Sequence, residues 1–328
     1  MAAGAASIGQ SGNTLTVTQT SQRAVVNWNS FDVGSSAKVE FKQPNAAAST
    51  LNRVTGASAS MINGAVNANG QVIFVNPNGI VFGSGAEVNA AGVVATTMNI
   101  ADSEYMSGSN TLKFKGNGQG QIVNQGKIKV NDLNGYIALM APQVINEGVM
   151  IARMSGANSV ALVAGQSVTL TFGDGQLIDV NVDASVVNAL ISNKRLIKTE
   201  GGQVIIAANS VSDLKASVIN NTGTISASAI SSSGGKIRLT GDTVTQAGVI
   251  SANGGLAAKS STSKTPQVVE KSANGGQITL QGNTVNVQAG SKTSAKAAAN
   301  VLSMSFPLVL IETFEMKVVH SAPSRKPP

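Results

Sequence analysis

Cysteine is absent from this chain, and histidine and tryptophan occur once each in 328 residues. Without cysteine, disulfides and thiolate metal sites are excluded. With its one histidine at His320, near the C-terminus, a serine–histidine–aspartate relay is implausible. Aromatic residues make up 3% and charged residues 12%, where a globular enzyme carries about 25% charged. No run of 18 apolar residues exists, so no membrane-spanning helix is expected. The start, Met1 to Ser7, lacks a basic region followed by an apolar stretch and does not read as a signal peptide. It reads as a small-residue stretch of the kind that could follow one. A chain without disulfides need not be cytoplasmic, since exported bacterial proteins often lack cysteine. The net charge of +7 is not concentrated. From Lys292 onward five basic residues face Glu312 and Glu315, which leaves +4 scattered over the body. Nucleic-acid binding calls for a basic stripe with stacking aromatics, and neither is present.

What the chain does have is 42% apolar residues, 35 glycines and an abundance of Asn, Ser, Thr, Ala and Val. Small β-branched residues with frequent Gly and Asn corners suit a regular array better than a compact globule. Internal similarity supports that. "GYIALMAPQV" from Gly135, "GQVIIAANSV" from Gly202, "GKIRLTGDTV" from Gly235 and "GQITLQGNTV" from Gly276 share one template. Its inward set is Ile137, Leu139, Val144; Val204, Ile206, Val211; Ile237, Leu239, Val244; and Ile278, Leu280, Val285. A period of two followed by a step out of phase predicts strand, corner, strand. A second template interleaves: "NQGKIKV" from Asn124, "NEGVMIA" from Asn146, "NTGTISA" from Asn221 and "QAGVISA" from Gln246. An antiparallel sandwich would show Asn-Gly hairpins between alternating strands. Unidirectional repeats instead predict an all-β, right-handed parallel β-helix, in which each coil buries its apolar edge on the next.

The organisation expected is a β cap over 1–40, a β-helix over 41–290 and an atypical tail over 291–328. The cap region holds Trp28 and Phe31, read as core anchors where cap meets first coil. The segment 254–276 reads as an exposed inserted loop. Four of the eight prolines lie in the tail, and its last ten residues are expected to be disordered. Asn67, Asn69, Asn89 and Asn99 are expected at corners, where their side chains can cap the backbone.

One corner is spelled out by "VNPNGI". Asn76, Pro77, Asn78 and Gly79 carry type I turn preferences, with Pro77 fixing φ and Asn76 able to bond its own backbone two residues on. With "AVVNWNSFDVG", "VEFKQPNAAASTLNRVTG", "INGAVNANGQVIFVNPNGIVFG" and "AEVNAAGVVATT" in order, residues 8 to about 115 resemble the filamentous-haemagglutinin-type two-partner secretion domain. Later coils such as "GGKIRLTGDTVTQAGVISANGG" are similar to the β-helical continuation of such exoproteins. The resemblance implies a secreted, non-enzymatic domain that reaches the cell surface through the periplasm. There a cognate outer-membrane β-barrel transporter would engage the extended chain, which folds as it emerges. The family's Asn-Pro-Asn-Gly motif falls on Asn76 to Gly79. Its usual upstream Asn-Pro-Asn-Leu is replaced here by Gln43-Pro44-Asn45-Ala46, with Asn52 and Arg53 following as the candidate substitutes. The resemblance thus makes Gln43, Pro44, Asn45, Asn52, Arg53, Asn76, Pro77, Asn78 and Gly79 the candidate recognition residues. It implies no cofactor, a monomer, and host glycans or proteins as compatible further partners.

Two competing readings stay open at this point. Parallel β-helices also serve as polysaccharide lyases and hydrolases, which need projecting carboxylate pairs. The chain has 16 acidic residues, densest at "FGDGQLIDVNVD" with Asp174, Asp179 and Asp183. That stretch is expected to be a polar loop with a turn at Asp174-Gly175. Asp179 and Asp183 offer too few ligands for more than a weak cation site. The second reading is a β-helix that binds host proteins through exposed loops.

Overall fold

The computed structural model describes residues 1–152, 158–174, 176–183, 189–209, 217–229, 233–255 and 274–297, together with the backbone of Met316–His320. Strand follows corner follows strand, and each strand pairs not with its neighbour in sequence but with the equivalent strand one coil away. Three long sheets result, with eleven, ten and eight strands among the described residues. Face I starts at Thr14–Gln19 and continues through Lys38–Lys42 and Lys127–Val130. Face II runs from Arg23–Trp28 through Tyr136–Ala141 and Gln277–Gly282 to Met316–His320 in the tail, and face III from Ser60–Ile62 to Thr284–Val287. The coil-to-coil pairs within them are parallel, which makes this the parallel β-helix that the repeats predict. The exception is Ala6–Ser11, which folds back antiparallel on Thr14–Gln19 and covers the open edge of face I.

The register explains why the repeats read as they do. Ile137 pairs with Val160, Val160 with Val204, Val204 with Ile237, and Ile237 with Ile278. On face III, Val144, Ile191, Ile219, Val244 and Val285 form an equivalent column. On face I the column is Val88, Ile128, Met150, Ile197, Ile225 and Ile250. Each side chain therefore packs on its counterpart about 4.8 Å away. The inward set is buried in one continuous core, with Val285 partly buried at its end. Val211 lies outside the described residues. Phe31, Phe41, Phe74 and Phe82 belong to the same core. Trp28 packs edge-on against Phe31 at 5.5 Å, which makes it the core anchor expected.

Glycine in the second template is required by close approach. A Cβ at Gly148 would meet the Gly126 carbonyl oxygen, and one at Gly248 the Gly223 carbonyl oxygen.

"FGDGQLIDVNVD" is not the polar loop expected, although its turn at Asp174 is there. Ser167–Gly173 and Gln176–Val182 are antiparallel strands turned at Asp174, whose φ is +49°, and Thr111–Lys115 joins them. This three-stranded sheet and the helix Asp102–Met106 lie over the outside of face II. A second core forms between them, with Leu112, Phe114, Leu170 and Val180 packed on Val94, Ala138, Met140 and Val163. The strands of face II beneath it, such as "YIALMA" and "SVALVA", are therefore buried on both sides. The expectation failed because the polar letters of this stretch fall on the exposed face of a strand whose Leu177 and Val180 are buried.

Most of the expected inserted loop, 256–273, lies outside the described residues, as do 298–315 and 321–328 of the tail. Lys292–Ser294 adds a last strand to face I.

Candidate functional site

Pro77 sits between two side-chain anchors. Asn76 ends the strand Gln71–Val75, and its oxygen accepts from Asn78 N–H at 3.0 Å while its backbone carbonyl accepts from Gly79 N–H at 3.0 Å. Its amide nitrogen donates to Ser58 O and to Ser60 Oγ, both at 3.0 Å. The side chain is buried at 1% exposure. Gly79 takes φ +109°, a region where a side chain is strained, and its carbonyl accepts from Ser60 N–H. Asn78 is exposed, yet its amide donates to Gly56 O at 2.9 Å. Both asparagines thus spend their side chains on the preceding turn of the solenoid, at 56–60. The following turn approaches from the other side, where Gly120 N–H donates to Pro77 O at 3.2 Å.

Gln43 to Asn45 form a different corner, between faces I and II. Gln43 is buried and bridges two coils, donating to Thr50 Oγ1 at 3.1 Å and Gln71 O at 2.9 Å while accepting from Gly70 N–H. Thr50 Oγ1 passes the chain on to Gln19 Oε1 at 2.6 Å. Asn45 accepts from Ala47 N–H and Ala48 N–H, and Pro44 is exposed beside it. Asn52 points into the core and accepts from Trp28 Nε1–H at 3.0 Å. Arg53 faces outward from the same strand. It donates to Asn99 Oδ1 at 2.8 Å and Ile100 O at 2.8 Å, and pairs with Asp102 at 2.7 Å, fastening the 97–102 segment onto face II. The nine candidate residues are therefore not one assembled site. They are two corners and one strand, each engaged in the fold.

Asn69 caps both the N–H and the carbonyl of Gln43, as expected of a corner. Asn67 and Asn89 do not sit at corners. They lie in register on face I and bond each other at 3.1 Å, because parallel pairing stacks like on like.

Sequence reasoning missed a buried column of amides. Asn124 donates to Asn146, Asn146 to Asn193, Asn193 to Asn221, and Asn221 to Gln246, each at 2.7 to 2.8 Å. The second template begins with four of these five residues, so the letters were visible. Its function as a ladder was not, because only coil-on-coil register shows that they meet.

Tyr105 and Tyr136 are buried where the helix and outer sheet meet face II. Burial pushes the Tyr105 hydroxyl up to about 12, while its bond to Ser49 Oγ pulls the other way. Burial also raises the Tyr136 hydroxyl, which donates to Gln71 Oε1 at 2.8 Å. Among the described residues no group of three His, Cys, Asp or Glu side chains could hold a metal ion. Asp183 accepts from Ser167 Oγ and Asp179 pairs with Arg238, so the two aspartates face separate partners.

A family model for the TPS secretion domain matches residues 2–252. The chain belongs to the TPS secretion domain family. Two curated relatives, both named "Heme/hemopexin-binding protein" and both from Haemophilus influenzae, are 34% and 30% identical over 248 and 252 residues, covering 74% and 70% of this chain. The matched part is 26% of each, so the chain spans about a quarter of the length of these relatives. The crystal structure of the HMW1 secretion domain from Haemophilus influenzae superposes with a TM-score of 0.68 at 25% identity, covering 90% of this chain and 82% of that one. The filamentous haemagglutinin secretion domain shares the fold, with a TM-score of 0.54 at 18% identity over 89% of this chain and 96% of that one. This is the secretion domain of a two-partner exoprotein, a class carried to the cell surface or released, and the family implies a cognate outer-membrane transporter as its partner.

Proposed function

We propose that the transporter reads Asn76 and Asn78 in the unfolded chain, and that folding of the corner then withdraws them. One observation carries this reading: both side-chain amides are consumed within the fold, on Ser58, Ser60 and Gly56. Side chains so engaged are poor contacts for a receptor of the folded domain, yet they are free in an extended chain. Pro77 holds φ near −65° before and after folding, so the motif is partly pre-shaped for either partner. The same logic extends to Gln43, Asn45, Asn52 and Arg53. Recognition and folding then compete for the same groups, which gives export a direction.

The domain is non-catalytic in this reading, supported by acidic side chains that are dispersed, several of them engaged singly, as Asp242 is by Ser217 and Asp183 by Ser167. The exoprotein that carries it is a ligand-capture protein of the kind its curated relatives are named for.

The test is co-expression with the cognate transporter. Asn78→Ala should cut export at least severalfold while the purified domain refolds at the wild-type rate. Normal export of Asn78→Ala and Asn76→Ala would reduce the motif to a plain corner.

A further inference from the structure

The outer sheet stops short of the end of the solenoid, and its last strand, Gln176–Val182, has no strand partner on its far side among the described residues. Beyond it the outside of face II lies open among the described residues. Three clefts lie there in a row, the middle one sharing Arg238 with one neighbour and Ile178, Gln203 and Lys236 with the other, so that they form one continuous trough beside the strand. Seven residues at about 3.3 Å each make it roughly 20 Å long.

The floor changes character where the cover ends. Beneath the outer sheet the outward positions of face II are Ala138, Met140, Ala161 and Val163, all buried. In the open coils the in-register outward positions are Lys236, Arg238 and Thr240, then Gln277, Thr279 and Gln281. Lys236 and Arg238 are exposed. Lys236 has no carboxylate partner among the described residues, and Arg238 has only the exposed Asp179 at 3.3 Å. At one end Asn158 is fully buried, with its Oδ1 lacking a hydrogen-bond partner among the described residues. The lining also holds two carboxylates, Asp179 against Arg238 and Asp242 against Ser217, so the cation left to a ligand is first of all Lys236, and with the amides and hydroxyls around it the ledge suits an extended ligand rich in hydroxyls and bearing spaced negative charges.

A peptide would bind such a place by adding a strand to the free edge. That edge is already occupied by side chains. Ser159 and Gln203 donate to Leu177 O at 2.7 Å, and Asn209 donates to Val182 O at 3.1 Å. The recognition chemistry left is that of side chains, which read sugars and their acidic groups.

We propose that this trough is a binding site for an acidic polysaccharide, lying along Gln176–Val182 with its carboxylates or sulfates on Lys236 and Arg238. The inference goes beyond the secretion reading and does not depend on it.

Isothermal titration of the full chain with three hexasaccharides tests it: a galacturonate, a heparin-derived fragment and neutral maltohexaose. An acidic hexasaccharide should bind at least about tenfold more tightly than the neutral one. Lys236→Ala with Arg238→Ala should weaken that binding at least about tenfold, and Asp179→Asn should tighten it severalfold. Lys129→Ala with Lys198→Ala, which removes equal charge from face I, should change it less than about twofold. All variants should be exported normally, which separates this site from the corner motif. The proposal fails if neither acidic sugar binds, if the face I pair weakens binding as much, or if polyglutamate of matched charge binds as tightly.

Discussion

Asn146 Nδ2 donates to Asn193 Oδ1 at 2.8 Å with both side chains sealed from solvent, although 47 residues separate them. The bond belongs to a directional column in which each amide gives to the next and takes from the one before. Removing an interior member strands a donor on one neighbour and an acceptor on the other. Asn193→Ala should therefore lose about 2–4 kcal/mol in urea unfolding. Asn124 heads the column and its oxygen has no partner among the described residues, so Asn124→Ala should lose less. Equal losses at the two positions would count against a cooperative column.

The two asparagines of the Pro77 corner should separate in stability. Asn76 is buried with four side-chain bonds, so Asn76→Ala should lose about 2–3 kcal/mol. Asn78 is exposed, and Asn78→Ala should lose about 0.5–1.5 kcal/mol. Thermal melting of both variants, measured beside the export assay, distinguishes loss of fold from loss of recognition.

Arg53 predicts a local effect rather than a global one. Arg53→Lys keeps the charge but cannot reach Asn99, Ile100 and Asp102 together, and should lose about 1–2 kcal/mol. Amide exchange should speed up at 97–106 while the interior of face II keeps its protection. Uniformly faster exchange would mean that Arg53 holds more than this segment.

Alkaline unfolding should begin early. Tyr105 keeps its proton in the folded state up to about 12, whereas in the unfolded chain it loses it near its ordinary value of about 10. Its folded value is raised, so its contribution is complete below about pH 10 and is lost as pH rises towards 12. The loss over that window is of the order of 2–3 kcal/mol. Tyr136 acts in the same direction. Tyr105→Phe should be less stable at neutral pH, through the lost Ser49 bond, yet should show a flatter decline above pH 10. Urea midpoints across that range check both signs.

The inward columns were legible because parallel stacking forces the same letter type into the same place, as Leu139, Ile206, Leu239 and Leu280 show. The turn at Asn76 was legible because its chemistry is local. Asn193 was not, since "NKRLIKT" lacks the glycine that marks the other rungs. The partners of Asn76 at Ser58 and Ser60 were equally hidden, because they sit one coil away and no local rule points to them. The outer sheet escaped for a related reason: Thr111–Lys115 and Ser167–Gly173 pair across two intervening coils, outside the period that revealed everything else.

That outer sheet changes how the solenoid should come apart. In a bare stack each coil touches only its neighbours and can peel off singly. Here one apolar layer spans from Val25 to Ile205 and ties the early coils into a block. Pulled from the C-terminal end, the coils beyond Ile205 should release in small steps, and the block should then rupture at a single higher force. In a chain emerging N-terminus first, the block cannot close until Val182 is outside. Until then the early coils are held by their inner core and backbone ladders alone.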